Sequence, residues 1–394
     1  MRLGDPFAAI RMTLPPPAVV AVHPGSTLHS GDRLFLECVN GLLGVGCQVT
    51  AAVPRDGALV REIEQLGADV RILPMGTDLA GDIAHEPPGL RARRPRLREL
   101  IAGWRLLGAV RPDLVLLSTR GLPLWALLAR LRRIDSVSHL HQVPLRPLRW
   151  RERLMLMPYT LCARVLVSDE VSRRALRRAS SSLATRAEIV RTGITPPMRP
   201  RLPREPLESP LELLYLGQLS PRHGPDVLLG ATPRLRRRGI SAHLTVVGDA
   251  VTGAEEYRRR LRRRADASDG QVEVIGPVRD VWRHLVHADI VVVPPRTGPS
   301  SGRAALEAIL AMRPVIASDT PELRELLVDF PTAHLVPPGD VEAIVEVATA
   351  LAEDWSQTVA ELARSRRLAL QRHDPSAFHA EIARACRADA SARR

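Results

Sequence analysis

The stretch DIVVVPPRTGPSSGRAALEAILAM, residues 289–312, predicts a strand, a glycine-containing loop and a helix in succession. Its first residues form a short β-branched run that ends in prolines, which is typical of a strand buried on both faces. The helix begins after Gly302, and Glu307 is the only polar residue between Ala304 and Met312. A helix that is apolar on every side is normally buried, so this segment predicts one unit of a parallel α/β fold.

The same alternation of strand and helix extends in both directions from this unit. Runs typical of strands lie at 18–24, 48–54, 69–73, 113–118, 136–141 and 163–168 in the first half, and at 211–217, 242–249, 272–276, 289–295 and 314–318 in the second. Segments of helical length separate them, and this alternation predicts parallel βαβ units. We therefore expect an α/β protein with two Rossmann-like domains that face each other across a cleft.

A proline-rich segment divides the two halves. PPMRPRLPREPLESP, residues 196–210, contains six prolines, and proline continues neither a helix nor the middle of a sheet. The sequence therefore predicts a first domain at 1–195, a linker at 196–210, a second domain at 211–355 and a helical tail at 356–394.

Composition excludes several classes of protein. The 394 residues carry 56 basic and 43 acidic side chains, a net charge of +13, and 45% of residues are apolar, which is enough for ordinary cores. Aromatic residues make up only 3%, which argues against a protein that stacks on nucleic-acid bases. No apolar run approaches the roughly 18 residues of a membrane span, and the N-terminus lacks a signal-peptide core. We expect a cytoplasmic protein that binds no nucleic acid.

Two loops of the second half are candidate anion-binding sites. In parallel sheets, ligands bind beyond the carboxyl ends of the strands, and there QLSPRHG (218–224) and RTGPSSG (296–302) each lead into a helix. A helix N-terminus offers unpaired amides and partial positive charge to phosphate oxygens. Arg222 and His223 precede one of these helices. The alternative is that both loops are ordinary turns in which glycine and proline serve only the backbone.

Glu307 has two interpretations. A buried carboxylate is costly unless it is hydrogen-bonded, and the two hydroxyls of a ribose would be suitable donors to it. The spacing equally permits an i,i+4 ion pair with Arg303. The residues alone leave both interpretations open.

Longer blocks of the chain resemble a known family. YLGQLSPRHGPDVLLGA, LTVVGD, VEVIGPVRDV, ADIVVVPP, the segment from GPSSG to PELREL, and HLVPPGDVEAI are similar to the donor domain of the retaining family-4 glycosyltransferases, which have the GT-B fold. HSGDRLFLECVNGLLGVGCQVTAAVP, HLHQVP, SDEVSRRAL and VRTGITP resemble blocks of the acceptor domain. The resemblance implies retaining, metal-independent transfer of a sugar from a nucleotide-diphosphate sugar, a co-substrate, to a glycan, lipid-linked or small-molecule acceptor. It implies no further cofactor.

The resemblance also assigns roles to individual residues. Glu307 falls on the position that holds the nucleotide ribose, and Gly302 and Arg303 fall on the helix start that faces the donor sugar and phosphates. Gly31 falls on the glycine loop that closes over the donor. His141 falls on the histidine near the transferred sugar and takes the catalytic position.

Five positions differ from the family pattern: Gln142, Gln218, His223, Pro299 and Ser301. Pro299 replaces the carboxylate that would hold donor-sugar hydroxyls, and Gln218 and His223 replace two phosphate-binding cations. Arg222, beside His223, is then a cation available to the donor diphosphate. The differences support an alternative function, a catalytically impaired GT-B relative that acts as a binding or partner subunit.

The segment LRPLRWRERLMLM, residues 145–157, combines arginine with leucine, methionine and tryptophan. One interpretation is an interfacial helix in peripheral contact with the inner face of an anionic membrane, which would carry a lipid-linked acceptor. The alternative is a solvated arginine-rich face.

Overall fold

A computed structural model describes residues 16–75, 93–141, 143, 145, 148, 150–250, 254–297 and 302–390. Three of the positions that differ from the family pattern, Gln142, Pro299 and Ser301, lie outside these residues. The described chain forms two α/β domains, each built on one parallel sheet with helices packed against it. This architecture confirms the predicted fold class.

The first domain contains a seven-stranded parallel sheet of order β3-β2-β1-β4-β5-β6-β7. Its strands are β1 (Ala18–Val22), β2 (Gln48–Val53), β3 (Asp69–Ile72), β4 (Leu114–Ser118), β5 (Asp135–Leu140), β6 (Arg164–Val167) and β7 (Ala187–Ile189). The strand order reverses between β1 and β4, which pair directly. Ligand-binding crevices of open parallel sheets lie at such a reversal. The sequence analysis did not predict β7.

Helices cover both faces of this first sheet. They are α1 (Ser30–Gly44), α2 (Ala58–Gln65), α3 (Arg93–Val110), α4 (Pro123–Leu131), α5 (Trp150–Leu156), α6 (Glu170–Ala179) and α7 (Ser181–Thr185), with a 3₁₀ turn at Met157–Leu161. Phe35, Leu42 and Ile63 from α1 and α2 are buried in one core of this domain. Trp125 of α4 and Tyr159 of the 3₁₀ turn are buried in the other.

The second domain contains a six-stranded parallel sheet of order β10-β9-β8-β11-β12-β13. Its strands are β8 (Leu211–Leu216), β9 (Ala242–Val247), β10 (Val272–Ile275), β11 (Ile290–Val293), β12 (Val315–Ser318) and β13 (Ala333–Val336). Its helices are α8 (Pro225–Arg237), α9 (Glu255–Asp266), α10 (Trp282–Leu285), α11 (Arg303–Leu310), α12 (Pro321–Leu327) and α13 (Val341–Glu353). The strand order reverses between β8 and β11, so this sheet also has a crevice at its carboxyl edge.

The C-terminal helices connect the two domains. α14 (Trp355–Arg372) packs on α11, whereas α15 (Pro375–Ala390) returns to α1 of the first domain. Phe378 and Ile382 of α15 are buried in the same core as Phe35. A Cβ added to Gly41 would lie 2.9 Å from Cα of His379, so α1 and α15 pack closely at that glycine.

The segment 196–210 contains neither helix nor strand. Several hydrogen bonds hold it against the second domain and α14, and two of them involve Arg204. Arg204 donates from Nε to Oδ1 of Asp289 at 3.1 Å, and its carbonyl oxygen accepts from Nε1 of Trp355 at 2.7 Å. The proline-rich segment is therefore anchored to the second domain at Arg204.

The carboxyl ends of the two sheets face one cleft. Arg33 of α1 donates through Nη2 to the carbonyl oxygens of Val278 and Arg279, which follow β10, at 3.2 and 3.0 Å. At another point, the carboxylate of Glu325 in α12 accepts from the first two backbone N–H groups of α6, at 2.9 and 2.8 Å. All these elements follow the carboxyl ends of their strands, so these ends meet across the domain boundary.

Candidate active site

Two glycines shape the loops after β8 and β11. Gly224, directly before α8, has φ of +70°, and a Cβ there would lie 2.1 Å from the carbonyl oxygen of Pro294. Gly302, directly before α11, has φ of +62°, and a Cβ there would lie 2.2 Å from Cδ2 of Leu326. Left-handed φ is costly for other residues. Both loops therefore need glycine where they enter their helices.

Side chains fasten these two loops to each other. Arg222 donates from Nε to the carbonyl oxygen of Thr297 at 3.1 Å. Arg296 donates from Nη1 and Nη2 to the two carboxylate oxygens of Asp226, at 2.6 and 2.7 Å. Such a bidentate pair fixes geometry as well as charge, so the two loops form one connected edge. The sequence analysis missed this pair, and an acidic residue in the first turn of α8 was the available signal.

Arg303 and Glu307 form a buried ion pair on α11. Nε of Arg303 lies 2.8 Å from Oε1 of Glu307, and the two side chains are only 8% and 6% exposed. The i,i+4 interpretation is therefore confirmed. An ionised carboxylate has about four acceptor sites, so this bond leaves Glu307 able to accept others. Its role at a ribose stays a prediction.

The loop after β8 places neutral groups beside an arginine. Gln218 is partly exposed, and Nδ1 of His223 lies 2.8 Å from Oγ of Ser220. Burial, with smaller effects from Arg222 and His29, lowers the pKa of His223 to about 4. His223 is therefore neutral at pH 7, and Arg222 supplies positive charge next to it.

In the first domain the structure brings Gly31 and His141 together. Gly31 lies in the first turn of α1 and His141 directly after β5, and a Cβ on Gly31 would lie 3.3 Å from Cε1 of the imidazole. Burial, followed by His139 and His23, lowers the pKa of His141 to about 3. Its Nε2 has no hydrogen-bond partner among the described residues. The Nε2 atom of a neutral imidazole can donate a hydrogen bond to a ligand or accept one from it, depending on the tautomer. A catalytic role for His141 stays a prediction.

A buried network beneath the glycine loop was not predicted. Nε2 of His23 lies 2.7 Å from Oδ1 of Asp32, and Nδ1 of His23 lies 3.2 Å from Oγ of Ser118. The backbone N–H of His29 donates to Oδ2 of Asp32 at 2.9 Å. Burial raises the pKa of Asp32, but hydrogen bonds from His23 and Thr27 outweigh it and lower the pKa to about 2. The network ties the start of α1 to the ends of β1 and β4.

Arg33 extends from the first domain toward the ion pair of α11. Burial lowers the pKa of Arg33, whereas the charge of Glu307 raises it and that of Arg303 lowers it. The three groups therefore interact across the cleft. Arg279 makes the reciprocal contact by pairing with Glu62 of α2. The sequence analysis missed Arg33, and its place two residues after the loop glycine was the available signal.

Metal-binding clusters and membrane-spanning helices were sought in the part of the chain that the structure describes. No group of three or more histidine, cysteine, aspartate or glutamate side chains there is arranged to hold a metal ion. Nor is any helix of that part both long and apolar enough to cross a bilayer.

Sequence comparison places both domains in one family. The family model described as Glycosyltransferase Family 4 matches residues 32–197, and the one described as Glycosyl transferases group 1 matches residues 210–354. Together the matches include most of each sheet. The chain belongs to the family-4 glycosyltransferases of the GT-B type, which confirms the resemblance.

Individual relatives match parts of the chain. It is 34% identical over 142 residues to the phosphatidyl-myo-inositol mannosyltransferase of Mycobacterium leprae, a match that covers 35% of this chain and 36% of the relative. It is 30% identical over 161 residues to the lipopolysaccharide 1,2-N-acetylglucosaminetransferase of Salmonella typhimurium, covering 39% and 42%. The chain thus spans less than half the length of these curated relatives.

Solved structures share the fold over nearly the whole chain. Anabaena HepE in complex with UDP and glucose superposes with a TM-score of 0.77 at 18% identity, covering 93% of this chain and 98% of that one. WaaG, a glycosyltransferase involved in lipopolysaccharide biosynthesis, superposes with a TM-score of 0.65 at 16% identity and the same coverage. At this level of identity the likeness shows the fold.

Proposed function

We propose that this protein is a retaining, metal-independent glycosyltransferase that moves a sugar from a nucleotide-diphosphate sugar to a glycan, lipid-linked or small-molecule acceptor. The observation that carries the proposal is the edge formed by the loops after β8 and β11. There two helix N-termini and Arg222 lie on the same side of the cleft as the Arg303–Glu307 pair. The names of the relatives, a mannosyltransferase and an N-acetylglucosaminetransferase, support it.

The donor diphosphate would lie against the N-termini of α8 and α11. Each N-terminus offers backbone N–H donors and partial positive charge, and Gly224 and Gly302 allow the positive φ with which each loop enters its helix. Arg222 would contribute a guanidinium, whose planar fork suits phosphate oxygens. Arg33 would add a second cation from the opposite domain. The ribose hydroxyls would donate to Glu307.

The charge on the leaving group determines what the site must supply. When the bond between sugar and diphosphate breaks, negative charge grows on the diphosphate, and positive groups already fixed in place stabilise it. Arg222 and the two helix ends would do this without a metal ion. His141, neutral at pH 7, would hydrogen-bond the sugar from the first domain. The acceptor would enter on the face that the diphosphate leaves, so that the configuration is retained.

Acceptor-dependent release of nucleoside diphosphate from UDP-, GDP-, ADP- and dTDP-sugars tests this proposal. We expect one class of donor to be turned over. Arg222→Ala should slow that turnover by about 10²-fold, because it removes a preorganised charge at the leaving group. Arg236→Ala, on the exposed side of α8, is the matched control and should leave the rate unchanged. Nucleotide binding without turnover of any donor would contradict the proposal and support the partner-subunit alternative.

An exposed apolar stripe lies on the first domain. Trp150, Leu154, Met157 and Leu161 are between 42% and 69% exposed, and their spacing places them on one side of α5 and its 3₁₀ turn. Trp150, Leu154 and Met157, with Arg153, line much of a groove of about 360 Å³. Isolated exposed apolar residues are normal, whereas a contiguous patch indicates an interaction site.

Neighbouring helices enlarge this patch. Nine of the fourteen large apolar side chains that are exposed in the described residues lie on α3, α4 and α5 with its turn. The five outside the stripe are Leu97, Ile101, Trp104, Leu127 and Leu131. We propose that this face contacts the inner face of an anionic membrane, because apolar side chains interleaved with arginine are typical of helices at a lipid interface. A lipid-linked acceptor would then be the natural substrate.

Sedimentation with phosphatidylcholine vesicles, with and without phosphatidylglycerol, tests this contact. We expect binding that requires the anionic lipid and falls severalfold in the double variant Leu154→Ser, Met157→Ser. Val328→Ser, which alters an equally exposed residue of the second domain, should bind as the parent protein does. The membrane contact would be contradicted if the parent protein did not bind anionic vesicles, or if the double variant bound as well as Val328→Ser. Either result would support the alternative that this face is solvated.

A further inference from the structure

The carboxylate of Glu322 is buried without a hydrogen-bond partner. Glu322 lies in the first turn of α12, directly after the carboxyl end of β12. The residue is 7% exposed, and neither Oε1 nor Oε2 has a hydrogen-bond partner in the described structure. Burying an unpaired carboxylate is costly, so this position lowers the stability of the free protein.

Its surroundings place Glu322 at the cleft. Burial raises its pKa and the charge of Asp169 adds to that effect, whereas the nearby backbone N–H of Glu322 itself, the hydroxyl of Thr320 and the charge of Arg222 oppose it. Asp169 caps α6 in the first domain, while Arg222 belongs to the loop after β8. On the same helix, Leu323 and Leu326 pack against Gly302 at the start of α11. Glu322 therefore lies on a helix that contacts both the start of α11 and the start of α6 in the first domain.

Glu325, one turn further along α12, is a carboxylate whose oxygens are both satisfied by the protein. Glu325 accepts two backbone N–H groups at the start of α6, at 2.9 and 2.8 Å, and those bonds satisfy both of its oxygens. Among the described residues, no other element offers Glu322 such a pair of backbone N–H donors. Unsatisfied buried groups in native proteins call for an explanation, and a ligand that satisfies them on binding is one.

We propose that Glu322 accepts hydrogen bonds from hydroxyls of the transferred sugar of the donor. This inference rests on the proposed function. A carboxylate repels the phosphates, whereas sugar hydroxyls can donate to both of its oxygens. The position agrees with that assignment, since the neighbouring Leu323 packs against Gly302 at the start of α11, where the diphosphate would bind, and Glu325 on the same helix contacts the first domain. The residue would thus select among donor sugars and not among nucleotides.

The test compares the nucleoside diphosphate with its sugar conjugates, in the parent protein and in one variant. Affinities of the nucleoside diphosphate and of its glucose and mannose conjugates are measured by calorimetry for the parent protein and for Glu322→Gln. We expect the affinity for the nucleoside diphosphate to be unchanged. The affinity for the preferred sugar conjugate should fall by about tenfold or more, because a hydrogen bond to a charged group is replaced by a weaker one. The ligand-free variant should melt at a higher temperature, since a buried charge has been removed.

The matched control is Glu325→Gln on the same helix. It weakens the contact with α6, so it should change both affinities together and lower the melting temperature. An equal loss of both ligands in Glu322→Gln, or no loss of either, would overturn the proposal, and so would a lower melting temperature of the ligand-free variant. Failure of the parent protein to bind any nucleoside diphosphate would instead contradict the proposed function itself.

Discussion

The carboxyl edge of the first sheet has mainly histidines and hydroxyl residues among its buried polar side chains, whereas the edge of the second also carries arginine–carboxylate pairs. His23 and Ser118 are hydrogen-bonded to each other, burial keeps His141 neutral at pH 7, and Asp32 is the carboxylate that caps α1. The second edge holds bidentate Arg296–Asp226 and buried Arg303–Glu307. Under the proposed function, the arginines of the second edge would suit the diphosphate, whereas the hydrogen-bonding groups of the first edge would suit hydroxyls of the sugar or acceptor.

The largest effect should come from the buried pair of the second edge. Glu307→Ala removes the carboxylate that pairs with the buried guanidinium of Arg303, which we expect to cost about 3–5 kcal/mol in the free energy of unfolding. Replacing both members, Arg303→Met with Glu307→Leu, should restore most of that stability. In the first edge, Ser118→Ala removes one neutral hydrogen bond and should cost about 1 kcal/mol. Urea unfolding measures all three, and equal losses in Glu307→Ala and Ser118→Ala would break the comparison.

The charged member of the first edge should be visible in acid. The pKa of Asp32 in the folded protein is about 2 against an ordinary 3.8. The stability it contributes is therefore present above pH 4 and is lost as the pH falls toward 2. The shift corresponds to about 2 kcal/mol, of which roughly half is lost by pH 3. Asp32→Asn should flatten this part of the dependence of unfolding free energy on pH. An unchanged slope would show that Asp32 is not the group responsible.

The two candidate-site histidines should respond differently to the donor. His223 is neutral at pH 7 in the free protein, and a bound diphosphate would raise its pKa. Binding then takes up a proton, so affinity should rise about twofold to fivefold between pH 7 and 5.5. Calorimetry in buffers of different ionisation enthalpy measures the proton uptake. His223→Gln should abolish it, whereas His141→Gln should leave it unchanged. Proton uptake that survives in His223→Gln would contradict this assignment.

The smallest effect should come from an exposed ion pair that links the two domains at the surface. Arg279 is 63% exposed and pairs with Glu62 across the domain boundary. Exposed ion pairs contribute little, so Arg279→Ala should lower the free energy of unfolding by about 0.5 kcal/mol. Arg283→Ala, which alters a more exposed arginine of α10, is the control. A loss above about 2 kcal/mol in Arg279→Ala would mean that this contact holds the domains together.

The fold could be predicted because buried parallel strands are runs of β-branched residues, and their alternation with helices is plain in the sequence. The strands that were missed are short or polar: β7 has three residues, and β13 contains His334. The return of α15 to the first domain could not be predicted. An amphipathic pattern shows that one face of a helix is buried, but not which domain buries it.

For the candidate site, the sequence identified the groups whose role is local. Gly224 and Gly302 directly precede helices and have a positive φ, which few residues other than glycine adopt. The i,i+4 spacing of Arg303 and Glu307 permits their ion pair. Arg33 was missed because its partners lie about 245 residues away, and only the folded chain brings them together. The burial of Glu322 likewise depends on elements from both domains.

A nucleotide-binding measurement tests the central claim that the charged edge of the second domain holds the donor. Thermal unfolding is followed with UDP, GDP, ADP and dTDP, each at millimolar concentration. A ligand at 100 times its dissociation constant stabilises by about 2.7 kcal/mol, so one nucleotide should raise the melting temperature by several degrees. The shift should persist in Ser118→Ala and vanish in the double variant Arg303→Met, Glu307→Leu. A flat panel, or a shift that survives in the double variant, would contradict the account.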